Sequence, residues 1–240
     1  MQGHFGLIAL LSAASLAPFV FAVGTCFIKI SIVLVLVRNA LGLQNVPSNL
    51  VLNGVALMLS VFVMMPFVRQ AHGYLVEHPI EFADARNLEQ FSTEGLAGYR
   101  SYLYRHAKPS LVSYFEDLQR RPRQVDEDAE TRGGNAHEAQ AARSPGSGSD
   151  ISAVDPETLS LFALLPAYAL SEIEDAFRIG FYLYLPFVVI DLVVSSILLA
   201  LGMMMMSPVT ISIPIKLLLF VAMDGWSMLS RGLIEQYFAR

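Results

Sequence analysis

Lys29, Asp191, Lys216 and Asp224 each stand inside otherwise apolar sequence, where an ionised side chain turned to lipid costs at least a few kcal/mol. Two kinds of chemistry suit such groups. Acids and bases at membrane depth can relay protons or bind a coupling ion; alternatively they pair with each other or with a neighbouring subunit and fix assembly. Asp191 and Ser195 share a helical face at i, i+4, and Lys216 and Asp224 lie about two turns apart, so each can meet a partner on another helix. On spacing alone either lysine can pair with either aspartate. The structural reading is the stronger, because an ion-coupled transporter gathers more spans around a discontinuous central site. Glu174 and Arg178 make a further i, i+4 pair in the favourable order. Ser171 and Glu174 have capping-box spacing, which predicts a helix starting or resuming there.

The second unusual group is the run Met203, Met204, Met205 and Met206, followed by Ser207 and Pro208. Thioether side chains are apolar but easily repacked, so they suit a surface that seals and then yields to different partners. A single methionine usually fills a gap in a core. Four in a row cannot, because neighbours on a helix point about 100° apart. Some of them must meet a partner, a lipid or a pore.

Motifs for enzymatic chemistry are absent. His72 and His78 lack a nearby cysteine and the i, i+4 spacing of a zinc helix, and read as solvated loop residues. The serines have no GxSxG setting, and no glycine-rich phosphate loop occurs. No catalytic residue, metal or cofactor is therefore expected. Cys26 is the only cysteine, which excludes an intrachain disulfide.

The elements that must position these residues are predominantly apolar. The 240 residues are 54% hydrophobic with a mean hydropathy of +0.51, which points to a membrane protein. Residues 69–158 hold ten of the 16 basic side chains but 15 of the 21 acidic ones, so the whole excess of negative charge is central. With no basic patch, nucleic acid is not an expected partner. The first 24 residues resemble a secretory signal, but no Lys or Arg precedes the apolar run, and it reads as an uncleaved membrane segment.

Phe5 to Val37 is longer than the roughly 20 residues one span needs and is interrupted by Pro18, Gly24 and Lys29. Leu50 to Val68 follows the helix-start sequence Pro47, Ser48, Asn49, and the short turn between the two predicts an antiparallel hairpin. A polar stretch comes next, in which Leu111, Val112, Phe115 and Leu118 predict a short amphipathic helix after Pro109. Arg120 to Asp155 then contains RRPRQVDEDAETRGGNAHEAQAARSPGSGSD, too poor in apolar residues to offset chain entropy, and is expected to be disordered. Apolar sequence resumes near Leu159 and continues through Gly180 to Gly202 and Val209 to about Leu233. The expected fold is all-α and membrane-associated: a hairpin over 1–68, a polar insert over 69–158, and a second hairpin with the methionine loop over 159–240.

The stretch FIKISIVLVLVRNALGLQNVPSNLVLNGVALMLSVFVMMP (Phe27 to Pro66), together with RNALG, SEIEDAFRIGF, LPFVVIDLVVSS, LGMMM and the Pro-Ile-Lys to Asp-Gly-Trp sequence, resembles the FliP/SctR proteins of type III secretion export machinery. The resemblance implies an all-helical export-gate subunit at the centre of the basal body, multi-pass in the bacterial inner membrane, with the insert on the periplasmic side. It implies a helical ring of five copies with SctS-like and SctT-like partners, next to SctU-like and SctV-like components, conducting unfolded secreted proteins. Much of the apolar sequence would then pack against other subunits. Met203 to Met206 would form the family's methionine gasket around the channel. Flagellar members usually begin with a cleavable signal, so the uncleaved reading favours an injectisome; the acidic insert is longer than the family pattern requires. An autonomous ion-coupled small-solute transporter using Asp191 and Lys216, and an adaptor that only nucleates ring assembly, are the competing readings.

Overall fold

The computed structural model describes residues 11–12, 15–16, 18–77, 94–120, 159–203 and 205–238, and all regular structure among them is helical. The expected disordered loop over 120–155 lies outside them except for Arg120, the last residue of a helix. The chain divides into two compact units, one formed by Met1–Glu81 with Glu172–Arg240 and the other by Phe82–Ser171.

In the first unit, α1 (Pro18–Gly24) meets α2 (Phe27–Ala40) at a 75° bend. The bend falls at Thr25 and Cys26, where a short polar chain takes over from the interrupted helix ladder. Thr25 Oγ1 donates to the Phe21 carbonyl at 2.8 Å and accepts from Ser60 Oγ at 3.0 Å, and Cys26 Sγ donates to Ser60 Oγ at 3.5 Å. A polar group from α3 (Asn49–Glu77) thus satisfies the break in buried surroundings, as buried hydroxyls require. Beyond the bend, Ile30, Val33, Leu34 and Val37 form one fully buried stripe at i, i+3, i+4, i+7. It packs on α3, whose Leu52, Ala56, Ser60 and Val63 are buried. The small Ala56 and Ser60 let the two backbones approach closely.

The turn between α2 and α3 is held by Arg38. Its Nη1 donates to Asn49 Oδ1 at 2.6 Å and to the Pro47 carbonyl at 3.2 Å, while Ser48 Oγ accepts from the Val51 N–H at 3.4 Å. The helix start expected at Pro47-Ser48-Asn49 is present, and the helix runs on past Val68 to Glu77.

The longest element, α6 (Leu161–Ala200), crosses from one unit to the other. Within the second unit, α4 (Ala97–His106), α5 (Pro109–Arg120) and the first turns of α6 surround Leu103, Val112, Ala163, Leu164 and Ala167. Tyr102 and Tyr168 share a hydrogen bond of 2.6 Å at the centre of this cluster. Burial pushes the neighbouring Tyr99 phenol up to about 12. The amphipathic helix expected over Leu111–Leu118 is α5.

Ser171 and Glu174 start no helix, which corrects the capping-box expectation: α6 is continuous through them. Ser171 Oγ donates back to the Ala167 carbonyl at 2.7 Å and accepts from the Lys108 N–H at 2.8 Å, so its hydroxyl is committed to tertiary structure. The real start lies at Ser160, whose Oγ accepts from the Phe162 N–H at 3.3 Å.

The last helices, α7 (Pro208–Ala222) and α8 (Gly225–Phe238), meet at 59°. The break falls at Met223 and Asp224, the latter with φ of 50°, while Pro214 is absorbed inside α7. Helices α3 and α6 are each long and apolar enough to cross a membrane, and each bent pair passes the same test as one broken span.

Candidate functional site

The methionine loop is built by two opposite chain signals. At its start Gly202 adopts φ of 74°, the left-handed conformation that glycine enters without a Cβ penalty. The Met203 N–H donates to the Leu198 carbonyl and the Gly202 N–H to the Leu199 carbonyl, both at 3.0 Å, which is the Schellman ending of a helix. At the far side Pro208, preceded by extended Ser207, opens α7 at a position where a missing N–H costs nothing. Between them Met205 is fully exposed, and Met203 and Met206 are 40% and 45% exposed. Met204 lies outside the described residues. The loop therefore presents thioethers outward from a sharply bounded turn.

Further along the two helices that flank the loop, Lys216 on α7 is buried and reaches Asp191 on α6, with Nζ 2.7 Å from Oδ2. The same ammonium donates to the Ala40 carbonyl at 3.2 Å, so it also neutralises the C-terminal end of α2. Asp191, 40% exposed at its side chain, keeps one edge open.

Lys29 is paired elsewhere. Its ammonium lies 3.0 Å from Glu172 Oε1 and 3.9 Å from Asp175 Oδ2, and 4.9 Å from the centre of the Tyr237 ring. The Tyr237 hydroxyl donates to the other oxygen of Glu172. Lys29 and Glu172 are almost wholly buried, at 4% and 1% side-chain exposure. This network joins α2, α6 and α8. Glu172 and Tyr237 were not singled out from sequence; the signal available for Glu172 was its place between two apolar runs, obscured by reading that place as a helix start.

Glu174 and Arg178 form their i, i+4 pair at 3.5 Å, but both are more than half exposed, where such pairs contribute little. Asp224 is exposed at the bend between α7 and α8 and forms no ion pair among the described residues. No group of three or more His, Cys, Asp or Glu side chains among the described residues is placed to hold a metal.

The apolar helices, the bounded methionine turn and the internal ion pairs all fall within residues 10–233, the span matched by the FliP family. The chain belongs to the FliP family. Relatives cover nearly the whole of it: the surface presentation of antigens protein SpaP of Salmonella typhimurium is 56% identical over 99% of this chain and 98% of its own length. SpaP of Shigella flexneri is 51% identical, and the Yop proteins translocation protein R of Yersinia pestis 42%, both with 99% of this chain and 98% of theirs covered. This FliP-family chain is thus a component of a type III secretion apparatus and works in complex with other secretion components.

Proposed function

We propose that this chain is the core pore-forming subunit of an injectisome export gate, conducting unfolded proteins across the bacterial inner membrane with its methionine loop as gasket. Five copies would form a helical ring with SctS-like and SctT-like subunits at the centre of the basal body, next to SctU-like and SctV-like components. The observation that carries the reading is the loop itself: a glycine-stopped helix and a proline-started helix hold apolar, adaptable side chains outward, with Met205 wholly exposed. Exposed thioethers are costly in water as a monomer and useful as a ring, where copies close on each other at rest and adapt to unlike side chains in transit. The many exposed apolar residues on α3, α6 and α7, among them Phe62, Phe181, Leu192 and Leu218, support a subunit whose surface is completed by lipid and by other chains.

The function is non-enzymatic, with energy supplied by partners. Relatives named for Yop translocation and harpin secretion support the injectisome branch over the flagellar one. The test is replacement of Met203, Met204, Met205 and Met206 by alanine in the co-expressed complex. Normal assembly with leakage of ions or small molecules is expected; unchanged permeability sinks the gasket.

A further inference from the structure

An apolar groove of about 240 Å³ lies between α2, α6, α7 and α8, walled by Val37, Leu183, Phe187, Phe220 and Leu233, with Gln236 as the polar side chain of its lining. An open groove of this size has room for part of an acyl chain, since an apolar cavity of about 150 Å³ already suffices to take up benzene. The groove is open at Gly232, where an added Cβ would meet nothing within 4 Å. A second recess of about 420 Å³ shares Met223, Met228 and Gly232 with it and is lined by Asp224, Ser227, Arg231 and Glu235.

Ser227, Arg231 and Glu235 follow one another at i, i+4 and i+8 on one face of α8, and Asp224 stands at the break just before it, within a broken membrane span. Arg231 and Glu235 are exposed, and among the described residues their side chains form no ion pair. One helical turn separates them, about 6 Å along the axis. One cation beside acids, opening onto an apolar slot, is the charge pattern complementary to a zwitterionic amphiphile. An anionic headgroup would meet Asp224 and Glu235 as well as Arg231, and a soluble anion would leave the groove empty.

We propose that the two recesses form one site for a zwitterionic phospholipid of the bilayer, with an acyl chain in the groove, the phosphate against Arg231 and the ammonium against Glu235. The proposal does not depend on the gating role of the methionine loop. It makes the bend between α7 and α8 a lipid seat, in which Gly232 leaves room for the chain and Arg231 selects the headgroup.

The full chain, purified from bacterial membranes in mild detergent, is analysed by native mass spectrometry for retained phosphatidylethanolamine. One retained molecule per chain is expected. Gly232→Leu, which fills the groove without a backbone clash, should lower retention at least fivefold with helix content by circular dichroism unchanged. Arg231→Gln, on the exposed face, is the second variant should Gly232→Leu fail to fold, and should lower retention to a similar extent. Delipidated protein should rebind phosphatidylethanolamine in preference to phosphatidylglycerol by at least fivefold. Equal retention in the variants, equal rebinding of both lipids, or efficient cross-linking of Gly232→Cys to another polypeptide in place of lipid would overturn the assignment.

Discussion

Lys216 and Asp191 face each other at 2.7 Å, one within the helix that leaves the methionine loop and the other within the helix that enters it. The pair ties α6 to α7 more than two turns away from the loop itself. Because the same ammonium donates to the Ala40 carbonyl at the end of α2, three helices meet at one charge.

Lys216→Met should therefore be more damaging than Asp191→Asn. The first strips both Asp191 and the end of α2 of their cation, whereas the second leaves a neutral acceptor for Lys216. Complex yield on blue native gels should fall in both, with the larger loss for Lys216→Met. Normal yield with abolished secretion in Asp191→Asn would instead favour a relay role for the carboxylate.

Breaking the Lys29–Glu172 pair from one side should cost about 3–5 kcal/mol, because a charge is then left buried without its partner. Lys29→Met is thus expected to lower the thermal unfolding midpoint sharply in detergent. Adding Glu172→Met should restore much of the loss, since both charges are then gone and the volumes are similar. A double variant as unstable as the single one would show that the carboxylate acts mainly through Tyr237.

Two helical glycines should respond in opposite directions. A Cβ at Gly180 would lie 2.2 Å from Leu36 Cδ1 and 3.2 Å from its Cβ, so Gly180→Ala forces α2 and α6 apart and should cost about 1–3 kcal/mol. At Gly54 nothing lies within 4 Å, and Gly54→Ala should be neutral or stabilising by up to about 1 kcal/mol from helix propensity. Chemical unfolding of the two variants side by side checks the contrast.

Within the methionine loop, single replacements should be graded by exposure. Met205→Ala is expected to raise ion leakage of the assembled complex more than Met203→Ala or Met206→Ala, because those two are partly covered by their own chain. Equal leakage from all three would mean that the ring rearranges the loop on assembly.

Much of the candidate site was legible because its signals are local. Gly202 and Pro208 bracket the methionines in sequence as they do in space, and Pro47-Ser48-Asn49 starts α3 where a cap is needed. The breaks were less legible. Pro18, Gly24, Lys29, Pro214, Lys216 and Asp224 were the expected interruptions; the chain bends at Thr25–Cys26, directly after Gly24, and at Met223–Asp224, and runs on as helix through Lys29, Pro214 and Lys216. A proline inside a helix forfeits one hydrogen bond that neighbouring helices can cover, whereas Thr25 and Ser60 reward a bend with a complete hydrogen-bond chain that forms only after α3 has docked.

The amino-acid sequence by itself determined that this is an apolar all-helical chain of the FliP family, with a bounded methionine turn and charges that cannot face lipid. The family is carried by the motifs the chain shares with it; the other properties follow from composition, from backbone preferences of glycine and proline, and from solvation cost, none of which needs a distant neighbour. Only the tertiary structure decided the pairing: Lys29 with Glu172 and Asp175, Lys216 with Asp191, and Asp224 left at an open bend. A charge states that a partner is required, but which partner it meets depends on how helices far apart in sequence cross. That crossing is set by packing of small and large side chains such as Gly180 against Leu36, and sequence spacing does not encode it.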